Sequence, residues 1–230
     1  MSRNSGQPAI STAVLYPEVG ECYSHGWNQM WKHILELALI LIINLLISIP
    51  ASGMSAADEI GGFFGFYLFI FSLAYAVMIV GPVEYGVAYA FLKAVRSEKV
   101  EIKDMFEVFK NYVNAVLANI LTNLIIGVGF LFFIVPGIIF ACKLVFVPYL
   151  IVEERMDAVE AIKQSWRKTD GHAMTVFLMG LLAIPIFMLG LVLCGVGVLL
   201  SVIWTELAFA AIYYAVCQSA RSQKPAVAIS

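Results

Sequence analysis

The chain has 230 residues, of which 61% are hydrophobic and only 13% are charged, and its mean hydropathy is +0.89. A soluble domain carries about 25% charged residues, so the composition excludes a soluble globular protein and predicts one that resides in a lipid bilayer. The net charge of −2 and the pI near 5.9 argue against nucleic acid as a partner, since nucleic-acid binding requires a basic surface.

The first two predicted spans lie in the N-terminal half of the chain. A helix needs roughly 20 apolar residues to cross the hydrocarbon of a bilayer. Residues 34–49 fit, and residues 1–33 before them form a segment with an interfacial helix. The second apolar stretch, 62–95, is too long for one straight span, and the proline in Gly81-Pro82 predicts a kink at 81–82. The loop between the two spans carries Asp58 and Glu59 but no Lys or Arg.

Four further spans are predicted, at 113–135, 138–152, 173–191 and 197–217, followed by a tail at 218–230. Pro136-Gly137 is expected to form the turn between the third and fourth spans, and residues 193–197 the turn between the fifth and sixth. Pro82, Pro148 and Pro185 each interrupt a span and are predicted to kink it. The expected fold is therefore all-α, with residues 34–217 forming a six-span polytopic membrane domain.

The distribution of basic residues predicts the orientation. The connections at 93–110 and 153–172 hold nine of the 14 Lys and Arg residues, whereas the short loops on the opposite side hold none. Lys and Arg are retained on the cytoplasmic side of a membrane. Six spans place both termini on one side, and Lys32, Arg221 and Lys224 indicate that this side is also cytoplasmic.

Amphipathic helices are predicted in the segments between the spans. Asp157 and Glu160 have the spacing of a capping box, and Val159, Ile162 and Trp166 then share one helical face. Helices with aromatic residues on their apolar face lie in the headgroup region of the bilayer. The expected lipid contacts are Trp27, Trp31, Trp166, Lys163, Arg167 and Lys168, the three basic residues contacting anionic headgroups.

A weak internal repeat accompanies these helices. Glu21, Trp27 and His33 precede the first span at the offsets at which Glu160, Trp166 and His172 precede the fifth. One hypothesis is a three-fold repeat of helical hairpins, each preceded by an interfacial helix. The alternative is that interfacial helices converge on the same residue types.

Ionisable groups within spans are costly and often mark functional sites. Lys143 in the fourth span and Glu206 in the sixth have similar predicted depths, so we expect a buried ion pair. Its alternative role is to fix the register of the helices without any part in transport. A second polar group is a candidate lining of a polar cavity, and hydrogen bonding between helices is the other explanation for it. This second group consists of Glu84, Asn119, Thr122 and Asn123.

Motifs in the second half resemble a known group of membrane domains. They are P-G-I-I at 136–139, P-Y-L-I-V-E-E at 148–154 and A-x-x-x-S-W-x-x-T-x-G at 161–171. Over residues 80–215 the chain resembles the membrane domain associated with bacterial glycerophosphoryl diester phosphodiesterases, and related stand-alone six-helix bacterial proteins of unknown function. The resemblance implies a six-helix bundle in the bacterial inner membrane. It transfers no catalytic residue, because the phosphodiesterase chemistry of the fused proteins belongs to a separate soluble barrel.

The sequence contains no H-E-x-x-H, G-x-S-x-G, G-x-G-x-x-G or Walker motif. We therefore expect no catalytic residues, no cofactor and no metal site, and predict that the protein is not an enzyme. The favoured interpretation is an organising, anchoring or accessory module in the membrane, acting as a homo-oligomer or with a membrane partner protein. The alternative is a small transporter, channel or lipid-handling protein that uses buried polar groups.

Overall fold

The structure is a computed structural model that describes residues 15–52, 61–192 and 196–222. It is 89% helical, and no β-strand occurs in these ranges. Six helical segments are long and apolar enough to span a membrane, which confirms the predicted all-α, six-span fold. These segments are Ile34–Ser52, Gly62–Val95, Ile102–Phe132, Ile134–Glu153, Ala173–Val192 and Gly197–Ala220. Asp58, Glu59, Lys224 and the centre of the 193–197 turn lie outside the described residues.

Ten α-helices build these segments and their connections in the described ranges. They are α1 (Val19–Lys32), α2 (Ile34–Ser48), α3 (Gly62–Tyr75), α4 (Gly81–Val95), α5 (Tyr112–Phe132), α6 (Ile134–Leu144), α7 (Val147–Glu153), α8 (Ala158–Thr169), α9 (Ala173–Val192) and α10 (Val196–Ser222). Short 3₁₀-helices cover Ile49–Ser52 and Ile102–Asn111, and a π-helical turn covers Ala76–Val80.

The core lies where α4, α7 and α10 meet. Phe91, Leu150 and Tyr213, one from each helix, are fully buried there. Helix α1 packs along α10, where the indole Nε1 of Trp204 donates a hydrogen bond to the Tyr23 carbonyl at 2.9 Å. Helices α2, α3, α5 and α9 instead expose many large apolar side chains, as expected for helices whose outer faces contact lipid.

An irregular turn precedes the predicted kink in the second span. Pro82 has no N–H to donate to the carbonyl four residues earlier, that of Met78. The π-helical turn Ala76–Val80 surrounds that carbonyl, and the Tyr112 hydroxyl donates to it at 2.7 Å. The tyrosine of the third span thus replaces the missing backbone donor of the second.

The predicted turn at Pro136-Gly137 was wrong. The chain reverses at Phe133, whose backbone is extended, and α6 already begins at Ile134. Pro136 therefore lies in the first turn of a helix, where backbone N–H groups have no intrahelical partner and proline is tolerated. Gly129 and Gly137 bring α5 and α6 into close contact next to this reversal.

Helix α8 packs on the bundle through small residues. Ala158, Ala161, Ser165 and Thr169 are buried, whereas Val159 and Trp166, expected on the face toward the lipid headgroups, are exposed. The spacing of the small residues is also helical, so both faces were visible in the sequence. The small face allows α8 to approach α6 and α7 closely, which leaves the larger residues facing outward.

Candidate functional site

A cavity of about 580 Å³ lies between the spans. Residues from α2, α4, α5, α6, α7 and α10 converge on it, so five of the six spans contribute to its walls. Its polar lining residues are Asn44, Glu84, Tyr85, Thr122, Tyr149 and Glu206. Large cavities with a few convergent polar groups are the usual form of small-molecule sites.

The charged lining residues of this cavity are two carboxylic acids. Glu84 lies two residues beyond Pro82 in the first turn of α4, and Glu206 lies near the middle of α10. Glu206 is deep within the bundle yet partly exposed, and its side chain lines the cavity. None of the described residues that line the cavity is Lys or Arg, so the two carboxyl groups have no basic counterpart in its wall.

Other groups make the cavity suitable for a cation. The buried amide oxygen of Asn44 accepts no hydrogen bond from any of the described residues. The rings of Tyr85 and Tyr149 also line the wall, and aromatic faces attract cations. Oxygen acceptors, carboxyl groups and aromatic rings together favour a positively charged or hydrogen-bond-donating ligand.

Two of the four residues named as a candidate polar cavity lie in the wall of the cavity described above. Glu84 and Thr122 line the cavity, and Glu206 joins them. Asn119 instead packs against Gly81, at a contact so close that a β-carbon at Gly81 would overlap its amide. Asn123 lies on the exposed side of α5 and donates to the Asn119 side-chain oxygen at 2.8 Å. The helical spacing of these polar residues was clear, but the side of α5 that faces inward was not.

The predicted ion pair between Lys143 and Glu206 was wrong. Lys143 forms a salt bridge with Asp170, just beyond the end of α8, and its ammonium lies 5.7 Å from the centre of the Trp166 ring. The similar predicted depths of Lys143 and Glu206 did not identify the partner of Lys143. Helix α8 folds back beside the end of α6 and supplies a closer carboxylate. Glu206 is therefore not paired with Lys143 and lines the cavity instead.

A break at Pro148 divides the fourth span into α6 and α7, and α8 satisfies the backbone there. The Lys143 carbonyl accepts hydrogen bonds from the hydroxyls of Ser165 at 2.7 Å and Thr169 at 2.9 Å. The Phe146 N–H donates to the Ser165 oxygen at 3.2 Å. Both helices on either side of the break contribute to the cavity wall, so these bonds fix its shape.

The expected lipid-facing residues are divided between surface and interior. Trp27, Trp31 and Trp166 are exposed, as are Lys163 and Arg167. Lys168 is instead paired with Glu154 at 2.7 Å, and its ammonium lies 5.2 Å from the centre of the Tyr213 ring. Headgroup contacts remain a prediction for the exposed residues, while Lys168 acts within the fold.

Ion pairs collect around the ends of α4 and α7 and form what we call the charged layer. Its pairs are Lys93–Asp104, Arg96–Glu153 and Lys168–Glu154. The guanidinium of Arg96 also lies 5.6 Å from the centre of the Tyr214 ring on α10. The sequence analysis placed Lys93 in the second span and Lys168 at the lipid surface, and it did not predict these ion pairs.

Among the described residues, no three His, Cys, Asp or Glu side chains come together in a way that would hold a metal ion. No curated protein and no solved structure matches the chain. A family model described as a domain of unknown function, DUF7847, matches residues 63–228, which include most of the cavity wall. The chain therefore belongs to the DUF7847 family.

Proposed function

We propose that this protein binds a small cationic molecule in the cavity and moves it within or across the membrane, as a small transporter or a lipid-handling protein. The observation that carries the proposal is the pair of carboxylic acids, Glu84 and Glu206, in one cavity whose described lining contains no basic residue. The alternative role of Glu206, fixing the register of helices through Lys143, loses its support because Lys143 is paired elsewhere.

The unfavourable free energy of placing two carboxyl groups within the spans supports the binding of a cation. A charged group within a membrane span is unfavourable unless it is paired or hydrated, and such residues face a cavity or a partner. Two like charges that share a site also repel each other. A bound cation would relieve both costs, so the cavity should attract positive charge and disfavour anions.

The test is the chemical accessibility of the cavity. In a chain with all four cysteines replaced by alanine, Thr122→Cys is expected to react at least tenfold faster with cationic aminoethyl methanethiosulfonate than with the anionic sulfonatoethyl reagent. Adding Glu84→Gln and Glu206→Gln should remove this preference.

Leu124→Cys is the matched control, because Leu124 lies two residues along α5 and is exposed on its outer side. A thiol that faces lipid has little thiolate and should react slowly with both reagents. If Thr122→Cys reacts no faster than Leu124→Cys, or reacts equally with both reagents, the cavity does not take up cations and the proposal fails.

A second candidate function, an organising or accessory module, is supported by the charged layer. Three ion pairs connect α4, α7, α8 and the 3₁₀-helix Ile102–Asn111. They form an ordered surface to which a partner protein could bind. The two functions separate by complementation of a deletion strain. Rescue by the Glu84→Gln/Glu206→Gln chain favours the module, and failure of a correctly inserted variant favours the cavity.

We further propose that both termini are cytoplasmic, in a bacterial inner membrane, and that Lys163 and Arg167 contact anionic headgroups. Both side chains are exposed, and each is expected to contribute about 1 kcal/mol near an anionic surface. The resemblance to phosphodiesterase-associated membrane domains stays a prediction. Self-association also stays a prediction, and Gly86 packs within the chain against Met105.

A further inference from the structure

A second, apolar groove adjoins the cavity. It has a volume of about 350 Å³ and runs between α9 and α10. The α9 wall consists of Ala183, Ile184, Phe187 and Met188, three of which are exposed on the outside of the bundle. The Ser201 hydroxyl, which also lines the groove, donates to the Ile186 carbonyl at 3.0 Å and holds the two helices together.

The groove and the cavity share two residues, Val202 and Glu206. These residues are one helical turn apart on α10, so they form a common ridge between the two spaces. One side of the ridge is polar and contains Glu84, while the other is apolar and opens toward the surface that contacts lipid. The Glu206 carboxyl therefore lies where the apolar groove adjoins the polar cavity.

We propose that the ligand is a single-chain cationic amphiphile, which reaches the site from the membrane phase with its alkyl chain in the α9–α10 groove and its ammonium head at Glu206 and Glu84. This inference rests on the proposed function and names the substrate class of the same site. The charge of the carboxyl groups selects the head, and the apolar walls of Ile184 and Phe187 select the chain. A hydrophilic cation uses only the first of these contacts, and an anionic amphiphile only the second.

The inference is tested by equilibrium binding to the full chain in nanodiscs of phosphatidylcholine. The probes are decyltrimethylammonium, tetramethylammonium and decyl sulfate, with empty nanodiscs as the blank. We expect saturable binding of decyltrimethylammonium at least tenfold tighter than that of tetramethylammonium, and no saturable binding of decyl sulfate. Glu206→Gln should weaken binding of both cations at least tenfold.

A variant that fills the groove distinguishes the contribution of the ligand's alkyl chain to binding from that of its ammonium head. Ile184→Trp should weaken decyltrimethylammonium binding at least fivefold and leave tetramethylammonium unchanged. Ile184 is 60% exposed, so this change does not threaten folding. Leu181→Trp is the matched control, because Leu181 is 52% exposed on the same helix but does not line the groove.

Equal affinity for the two cations, with no effect of Ile184→Trp, overturns the amphiphile and leaves the cation cavity standing. Saturable binding of decyl sulfate overturns the selection by charge. If neither cation binds, the inference also fails, and labelling of Thr122→Cys then decides separately whether the cavity is open to cations.

Discussion

At the residue scale, Ser165 and Thr169 compensate for the break that Pro148 introduces. Their hydroxyls reach the Lys143 carbonyl, and Ser165 also accepts from the Phe146 N–H. We expect Ser165→Ala with Thr169→Val to lower the free energy of unfolding by about 1–3 kcal/mol for each backbone group left unsatisfied. Thermal unfolding in detergent measures the change.

Lys163→Ala is the control for this prediction, because Lys163 lies on the exposed side of the same helix. Its loss should change the stability by less than about 0.5 kcal/mol. An equally small effect of the double variant would show that the break is satisfied in another way.

Cys22 reports whether α1 is docked. Its side chain is fully buried, and burial, with a smaller contribution from Glu21, raises the pKa of the thiol to about 12. Because the thiolate is the reactive form, alkylation by iodoacetamide at pH 8 should be about a thousandfold slower than in the unfolded chain, where the pKa is about 8.5. Mass spectrometry of a chain that retains only Cys22 measures this rate.

The same raised pKa predicts how stability depends on pH. The protonated thiol favours the folded state below about pH 8.5, and this contribution is lost as the pH rises toward 12. Ser24→Cys in a chain without the native cysteines is the matched control, since Ser24 is exposed on the same helix and should react rapidly. Rapid reaction of Cys22 in the folded protein would show that α1 is not held against α10.

At the element scale, Gly86 sets the distance between α4 and the 3₁₀-helix Ile102–Asn111. A β-carbon at Gly86 would overlap the Met105 carbonyl oxygen, a backbone atom that cannot rotate away. We expect Gly86→Ala to destabilise the fold by about 1–3 kcal/mol, as overpacking does. Differential scanning fluorimetry in detergent tests this.

Gly180→Ala provides the matched control, because a β-carbon at Gly180 in α9 would meet no atom within 4 Å. Since alanine favours a helix over glycine, this change should be neutral or raise the unfolding temperature. Equal loss from both substitutions would contradict the close contact at Met105.

The six spans were predictable because apolar composition is a local property of the sequence. The bends were partly predictable: Pro82 marked the irregular turn, but the partner of the freed Met78 carbonyl, Tyr112, comes from another span. The turn at Pro136 was predicted wrongly because proline is found both where helices end and in the first turn of a helix, and Pro136 lies in the first turn of α6.

The candidate site was less predictable because it depends on how the helices rotate against each other. Glu84, Thr122 and Glu206 were identified as polar residues within spans, and the structure brings them together. Asn44 gave the same signal in the first span and was missed. Lys143 was assigned to Glu206 by depth alone, but the fold-back of α8 that brings Asp170 to it cannot be read from the span pattern.

At the scale of the whole molecule, the charged layer and the cavity occupy different parts of the same helices. The ion pairs join the ends of α4 and α7, and the cavity is bounded by those same helices farther along. Glu153→Gln removes the negative charge that pairs with the half-buried guanidinium of Arg96, so the spans should separate more easily. We expect a lower unfolding temperature than for Glu98→Gln, a change at an exposed neighbouring carboxyl. Equal temperatures would show that the pair does not hold these helices together.

The orientation of the spans in the membrane is also a property of the whole molecule, and reporter fusions can test it. Nine of the 14 basic residues lie in two connections, and basic segments resist transfer across a membrane, so these connections should stay in the cytoplasm. Alkaline phosphatase, which is active only outside the cytoplasm, should be active when fused after residue 56 or 195 and inactive after residue 99 or 163. Green fluorescent protein, which fluoresces only inside, should give the reverse pattern at the same four sites. If fusions after 56 and 99 report the same side, the second span does not cross the bilayer. If all four sites are inverted, the basic connections face outward, and Lys163 and Arg167 lose the anionic inner surface that we propose they contact.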